Sequence, residues 1–134
     1  MGLGSILEIS GSAMSAQSVR LNATASNLAN AQSAVASDGE PYRATFPVFQ
    51  TVLDEAGQSA GVRVAGVVES SAPPQLRFEP DNPLADEEGY VAYPNVNVVQ
   101  EMTDMISASR SFQMNVELIE TAKTLAERLL SVGR

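Results

Sequence analysis

All seven prolines of this 134-residue chain lie between Pro41 and Pro94, and the segments on either side contain none. Proline removes a backbone hydrogen-bond donor and clashes with the preceding helical turn, so long helices are expected only in the flanking segments. Six of the seven aromatic residues also lie in the middle segment, which favours strands and extended loops there. We therefore divide the chain into an N-terminal helix within residues 1–35, a β-rich middle over residues 36–96 and a C-terminal helix within residues 97–134.

The N-terminal segment carries one apolar stripe with the spacing of a helix. Large apolar residues recur every seven positions: Leu7, Met14, Leu21 and Leu28. Small residues occupy the positions between them: Gly11, Ser18 and Ala25. This 4–3 spacing predicts a helical face that packs against another helix, which the small residues allow to approach closely.

Charge is almost missing from this predicted helix. Arg20 is the only charged residue between Glu8 and Asp38, although a helix that faces solvent normally carries several charges. The composition indicates a helix that is enclosed by protein on several sides. The alternative is a loosely ordered terminus, and both descriptions hold if the helix becomes ordered on assembly.

The C-terminal segment repeats the 4–3 apolar spacing from about Val98 to Ser131, which predicts a second long helix. The fold class that follows is α+β, with the two long terminal helices packed as an antiparallel coiled coil beside a small β-rich, proline-rich middle. We predict that a helix-packing interface forms, within or between subunits, from apolar residues of both stripes: Leu7, Met14, Leu21, Leu28, Val98, Met102, Met105, Phe112, Val116 and Ile119.

The middle segment contains two β-favouring runs, residues 43–53 and 62–69, which predict a hairpin with Pro47 at a sheet edge. Residues 89–93 predict one further short strand. The prolines between these elements predict an extended path without strand pairing: Pro73, Pro74, Pro80 and Pro83.

Composition excludes several kinds of chemistry. The chain has no cysteine and no histidine, which removes thiol chemistry, disulfides and the commonest general base and transition-metal ligand. Sixteen acidic and eight basic residues give a net charge of −8, which disfavours nucleic acid and anionic membranes as partners. No apolar run approaches the ~20 residues of a helical membrane span, and residues 1–20 lack the features of a cleavable signal peptide. We therefore expect no enzyme activity, no cofactor, no small-molecule substrate and no direct membrane insertion.

One concentrated acidic cluster spans residues 79–88: Glu79, Asp81, Asp86, Glu87 and Glu88. Carboxylates are suitable calcium ligands, so the alternative function is a small acidic calcium-dependent binding module. The spacing differs from that of an EF-hand and prolines interrupt it, which favours a solvated acidic turn and no metal site.

At Ser26-Asn27-Leu28-Ala29-Asn30 the chain resembles the axial proteins of the bacterial flagellum. The resemblance continues through later motif residues: Pro41, Tyr42, Arg43, Asn82, Pro83, Leu84, Gly89 and Tyr90. In this order and spacing, the segments resemble the FlgC family of flagellar proximal rod proteins over essentially the whole chain. Residues 31–34 lack the Pro-Gly that often follows the first helix in the wider axial family, which argues against a distal rod or hook protein.

This resemblance implies a structural subunit of the flagellar basal-body rod, the shaft that crosses the periplasm. Proteins of this family are exported unfolded by the flagellar type III export apparatus, without a cleavable signal peptide. They assemble with copies of themselves and other rod subunits into a helical tube, which surrounds the export channel and transmits torque. The implied arrangement places the terminal helices in the tube and the β-rich middle outside.

Overall fold

The computed structural model describes residues 2–133, so residues 1 and 134, at the outer ends of the predicted terminal segments, lie outside the described residues. The elements in chain order are α1 (Leu3–Asn30), β1 (Val35–Ala36), β2 (Thr45–Leu53), β3 (Ser59–Glu69), β4 (Gln75–Phe78), β5 (Tyr90–Tyr93) and α2 (Val98–Val132). Two terminal helices with antiparallel strands between them confirm the predicted α+β class. Within residues 2–133, neither helix combines the length and the apolar character that a membrane span requires.

The two helices differ in how their first turns are stabilised. The Asn97 side chain caps α2 by accepting a hydrogen bond from the Gln100 N–H, and Glu101 places a carboxylate in the first turn. α1 follows Gly2 with no side-chain cap and no acidic residue in its first turn. The start of α1 therefore depends more than that of α2 on packing against other elements.

α1 and α2 run antiparallel. Asn27 contacts Glu101 at one end of the pair, whereas Ser10 and Leu118 line one groove towards the other end. A row of buried and half-buried positions on α2 has a 4–3 spacing: Glu101, Met105, Ala108, Phe112, Asn115, Ile119 and Ala122. α2 has 35 residues and α1 has 28, so about 10 Å of α2 extend beyond the start of α1.

Strands β2 and β3 form the predicted hairpin, in which Thr45 pairs with Glu69 and Leu53 pairs with Ser59. The register shifts between Val48 and Phe49 and again next to Leu53. Such irregularities increase the local twist of a strand pair, which helps a two-stranded sheet to curve along a helix.

The second sheet has the strand order β1-β5-β4. Strand β5 confirms the short strand predicted at residues 89–93. Strand β4 shows that the predicted unpaired path between the prolines is wrong, because Gln75–Phe78 pairs with β5. The strand fits between Pro74 and Pro80, so neither proline takes a position in the ladder.

The hairpin lies against α1 at a glycine. Gly61 has a φ of +143°, and a Cβ added there would lie 2.5 Å from the Ser12 hydroxyl oxygen. That oxygen accepts a hydrogen bond from the Val62 N–H at 3.1 Å, and the hydroxyl donates to the Ile9 carbonyl at 2.7 Å. α1 is therefore covered by the hairpin on one side and by α2 on another, which leaves a third side open.

The buried apolar core consists mainly of small side chains. Alanines make up most of it: Ala16, Ala31, Ala44, Ala92, Ala108 and Ala122. Val91, Tyr93 and Val96 are larger members. The chain exposes 8908 Å² of surface, about a third more than the ~6,700 Å² expected of a compact monomer of 14.1 kDa. The single chain thus leaves much of its surface uncovered.

Candidate assembly interface

A polar cluster of buried and half-buried residues joins the two helices to the hairpin, and we call its members the polar clamp: Asn27, Tyr42, Thr45 and Glu101. The Asn27 side-chain carbonyl accepts hydrogen bonds from the Thr45 N–H at 2.9 Å and the Tyr42 hydroxyl at 2.8 Å. Its amide donates to the Thr45 carbonyl at 3.0 Å and to the Glu101 carboxylate at 3.1 Å. Asn27 is 1% exposed, so these bonds replace all of its contact with water. One side chain therefore fixes α1 to both β2 and α2.

Glu101 is the charged member of the polar clamp and is 4% exposed. Burial raises the pKa of this carboxyl above its ordinary value; the hydrogen bond from Asn27 opposes the shift, and the negative charge of Asp104 adds to it. Arg20 lies 3.5 Å from Asp104, which pairs those two groups across the helices. Burial of Glu101 thus carries a desolvation cost that its neutral partner Asn27 offsets only in part.

Residues next to the polar clamp belong to the first part of the family motif. The hydroxyl groups of Ser26 and Tyr42 lie 3.0 Å apart, and the Asn30 amide donates to the Ser26 carbonyl at 2.9 Å. Pro41 is buried, and the Arg43 guanidinium donates to the Ser70 carbonyl. The other two motif residues of α1 differ in exposure: Leu28 is half-buried and Ala29 is exposed. The first motif segments therefore meet around Asn27, although they are separated in sequence.

The later motif residues shape the loop between β4 and β5. The Asn82 side chain accepts a hydrogen bond from the Leu84 N–H at 2.9 Å, while Pro83 and Leu84 are exposed. Gly89 has a φ of +89°, and a Cβ there would lie 2.8 Å from the Phe78 ring. Tyr90 packs edge-on against Phe78 with 5.5 Å between the ring centroids. These motif residues have a local structural role and lie apart from the polar clamp.

The acidic cluster of residues 79–88 uses two of its carboxylates within the same loop. Glu79 accepts hydrogen bonds from the Asn82 amide and the Tyr93 hydroxyl, which lower its pKa, and Asp86 accepts from the backbone amides of Tyr90 and Glu88, which lowers its pKa too. In the part of the chain that the structure describes, no group of three or more acidic side chains is placed to hold a metal ion. The calcium-dependent alternative therefore gains no support from this geometry.

The predicted helix-packing residues fall into two groups in the single chain. Most are half-buried: Met14, Leu21, Leu28, Val98, Met105, Phe112, Val116 and Ile119. The other two, Leu7 and Met102, are 39% and 54% exposed. More deeply buried positions that the apolar pattern missed are Glu101 and Ala108, because the contact between the helices here is built from small and polar groups. Packing between subunits through the predicted residues stays a prediction.

The open side of α1 carries the small members of the predicted stripe. Gly11, Ser18 and Ala25 are exposed, and outside the adjoining helix backbone no atom of residues 2–133 lies within 4 Å of the position that a Cβ on Gly11 would occupy. We call this side the outer face of α1 and define it by the exposed residues that follow Glu8 along it: Gly11, Ser15, Ser18, Asn22, Ala25 and Ala29. None of these residues carries a charge, although all of them face solvent in the single chain.

α2 also exposes an apolar stripe. Its members are spaced by 4, 7, 4 and 3 residues, which places them on one side of the helix: Met114, Leu118, Leu125, Leu129 and Val132. Their exposed fractions range from 46% for Leu118 to 83% for Val132. The last of them lie in the part of α2 that extends beyond α1. Both helices therefore present uncovered faces suited to further helix packing.

Two family models match the terminal parts of the chain. Residues 7–32 match the family described as "Flagella basal body rod protein", and residues 87–132 match "Flagellar basal body rod FlgEFG protein C-terminal". The first match contains Asn27 and the second contains Glu101. The contact between the helices within the polar clamp therefore joins the two matched regions.

Several known proteins are similar to the chain over nearly its whole length. The flagellar basal-body rod protein FlgC of Yersinia enterocolitica and that of Salmonella typhimurium are each 52% identical to it over 134 residues, which is 100% of both chains. The FlgC protein of Aquifex aeolicus is 42% identical over 129 residues, which cover 96% of this chain and 95% of the relative.

Proposed function

The chain belongs to the FlgC family of flagellar basal-body rod proteins, and on this premise we propose that its uncovered helix faces join it to neighbouring rod subunits. It is a structural subunit of the flagellar basal-body rod. We infer that it catalyses no reaction, since its relatives are structural rod proteins and its sequence offers no histidine or cysteine for catalysis.

The outer face of α1 is the observation that carries this proposal. An exposed helix face without charge is poorly suited to water, whereas its small residues allow another helix to approach closely. The large surface of the single chain and the apolar stripe on α2 support the same conclusion. A subunit that is enclosed by its neighbours needs no charged surface on those faces.

The assembly that we infer is a helical tube with terminal helices inside and the β-rich middle outside. Residues 1–35 and 97–134 form its core as an antiparallel coiled coil, and residues 36–96 contact neighbouring rod subunits. Different faces of each subunit meet in a head-to-tail arrangement, which is how one contact generates an open helical assembly. The tube crosses the periplasm, surrounds the export channel and transmits torque through many packed side chains. Its partners are copies of this chain and other rod subunits.

Export as an unfolded chain agrees with the distribution of stabilising contacts. α1 begins without a side-chain cap, and its contact with α2 is built from small and polar side chains. Its outer face is exposed and meets no partner among residues 2–133. We propose that the terminal helices are loosely ordered before assembly, which helps passage through the flagellar type III export apparatus without a cleavable signal peptide. Strong amide protection of both termini in a monodisperse monomer would contradict this part of the proposal.

Substitutions on the outer face test the proposed function. Ala25→Glu adds a charge at an exposed position, so it should change monomer stability by no more than about 0.5 kcal/mol. It should nevertheless block incorporation into hook–basal bodies. Leu21→Asp, at the border of the same face, should block incorporation as well. The control is Ala25→Ser, which keeps a small, uncharged side chain at the same exposed position.

Mass spectrometry of purified hook–basal bodies measures the outcome. The wild-type chain and the Ala25→Ser variant should be present as stoichiometric components that survive detergent and salt. The Ala25→Glu variant should be synthesised at normal levels and be missing from the particles. Normal swimming of cells that carry Leu21→Asp and Ala25→Glu would show that this face makes no contact in the rod.

A further inference from the structure

A groove of about 140 Å³ opens between the hairpin and α2, directly above the polar clamp. Its lining comes from three elements and is polar at one side and aromatic at the other: Arg20, Thr24, Thr45, Phe46, Pro47, Phe49, Glu101 and Asp104. At about 30 Å³ for a water molecule in the liquid, the groove holds roughly five waters. That volume suits one long side chain rather than a segment of backbone.

The lining of the groove carries one more negative than positive side chain. Two carboxylates, those of Glu101 and Asp104, face a single guanidinium, that of Arg20, and Arg20 lies 3.5 Å from Asp104. Within the described residues, the one hydrogen bond to the Glu101 carboxylate comes from the neutral Asn27 amide and reaches only one of its two oxygens. A carboxylate that is 4% exposed is normally paired with a cation, because burial of an unpaired charge is costly.

The aromatic wall suits the remainder of a basic side chain. Phe46 and Phe49 are 41% and 39% exposed beside the groove, which is high for rings in a folded chain. The alkyl stem of an arginine or lysine packs well on such rings while its charged end reaches a carboxylate. A guanidinium near the face of a ring also gains a cation–π attraction.

We propose that this groove receives an arginine or lysine side chain of a neighbouring rod subunit, whose positive charge pairs with the carboxylate of Glu101. The inference rests on the proposed function, since it requires that the chain assembles with other subunits. It assigns Glu101 two roles. In the single chain it accepts the hydrogen bond from Asn27, and in the rod it also accepts the basic side chain.

Glu101→Gln separates these two roles. Glutamine keeps a side-chain oxygen for the Asn27 amide but removes the charge, so the free subunit should be at least as stable as the wild type. Its incorporation into hook–basal bodies should fall at least about tenfold, because one side of a buried ion pair between subunits is lost. Glu117→Gln is the matched control, since it makes the same change at an exposed position on the same helix and should leave incorporation unchanged.

Photo-crosslinking identifies the occupant. A benzophenone amino acid in place of Phe46 should capture a peptide of a rod subunit that contains an arginine or lysine at the point of attachment. Replacement of that basic residue by glutamine should reduce incorporation as much as Glu101→Gln does, and the two changes together should reduce it no further. A captured peptide of this same chain would identify the neighbour as a second copy.

Three results would overturn the inference. One is normal incorporation of Glu101→Gln, and another is a captured peptide without a basic residue at the groove. The third is a loss of stability in the free Glu101→Gln subunit, which would mean that Arg20 rotates to pair with Glu101 inside the same chain. Normal incorporation of Glu101→Gln together with failure of Ala25→Glu would refute this inference alone and leave the proposed function intact.

Discussion

Replacement of Asn27 by alanine removes a side chain that makes four hydrogen bonds inside the polar clamp. The Thr45 amide and carbonyl and the Glu101 carboxylate lose their partners at a position that is 1% exposed in the wild type. Each buried polar group left without a partner costs roughly 1–3 kcal/mol. The variant should therefore lose about 3–6 kcal/mol, a large part of the ~5–15 kcal/mol that stabilises a typical domain.

Urea unfolding followed by circular dichroism measures this loss. The expected result for Asn27→Ala is a much lower midpoint with an unchanged slope, because the change affects the folded state. Asn22→Ala is the matched control, since Asn22 is exposed on the same helix and its replacement should alter stability by no more than about 0.5 kcal/mol. If the two variants unfold within about 1 kcal/mol of each other, the polar clamp does not hold the elements together as argued.

Further predictions concern pH and the contact between hairpin and helix. Because the pKa of Glu101 is raised in the folded state, protonation of this carboxyl stabilises the fold. This contribution to the free energy of unfolding is complete below the ordinary pKa of 4.5 and is lost as pH rises through the folded pKa. The free energy of unfolding of the wild type should therefore rise relative to that of Glu101→Gln as pH falls from 7 towards 4.5, and a constant difference in urea titrations would refute this. Gly61→Ala should cost about 2 kcal/mol or more, because φ is +143° and the new Cβ would meet the Ser12 hydroxyl. Thermal unfolding measures this loss of stability. Gly66→Ala is the control, since a Cβ there meets open space and should have little effect; equal losses of stability in the two variants would contradict the close approach at Gly61.

The sequence predicted both helices and the hairpin because their signals are local. Proline confines the long helices to the flanks, and alternating β-branched residues mark the strand that pairs with residues 45–53. The strand at Gln75–Phe78 was missed because prolines on both sides suggested an unpaired path. Its pairing with β5 depends on a contact across the loop between them, which local propensity does not contain.

The candidate interface was predicted less completely than the fold. A 4–3 apolar pattern predicts that a helix packs against another helix, but it does not specify whether that partner belongs to the same chain. Here the contact between α1 and α2 uses Asn27, Glu101 and Ala108, while Gly11 and Ala25 of the apolar stripe remain exposed. The near-absence of charge from the first helix was the more informative signal, since the outer face of α1 is exposed in the single chain and carries no charge.

The polar clamp could be anticipated only in part. Asn27 and Tyr42 both occur in the motif segments, which marks them as family residues but predicts no contact between them. Glu101 gave a misleading signal, because an acidic residue in the first turn of a helix normally faces water and complements the helix dipole. Its burial follows from the angle at which α2 meets α1, which is a tertiary property.

We propose above that the outer face of α1 is covered when the subunit enters the rod. Since the chain contains no cysteine, Ala25→Cys introduces a single thiol on that face, and its reaction with a maleimide can be followed by mass spectrometry of the corresponding peptide. We expect rapid labelling of the free subunit and strong protection of the same thiol in purified hook–basal bodies. Equal labelling of the free and the assembled subunit would show that this face stays exposed to solvent in the rod and would contradict the account.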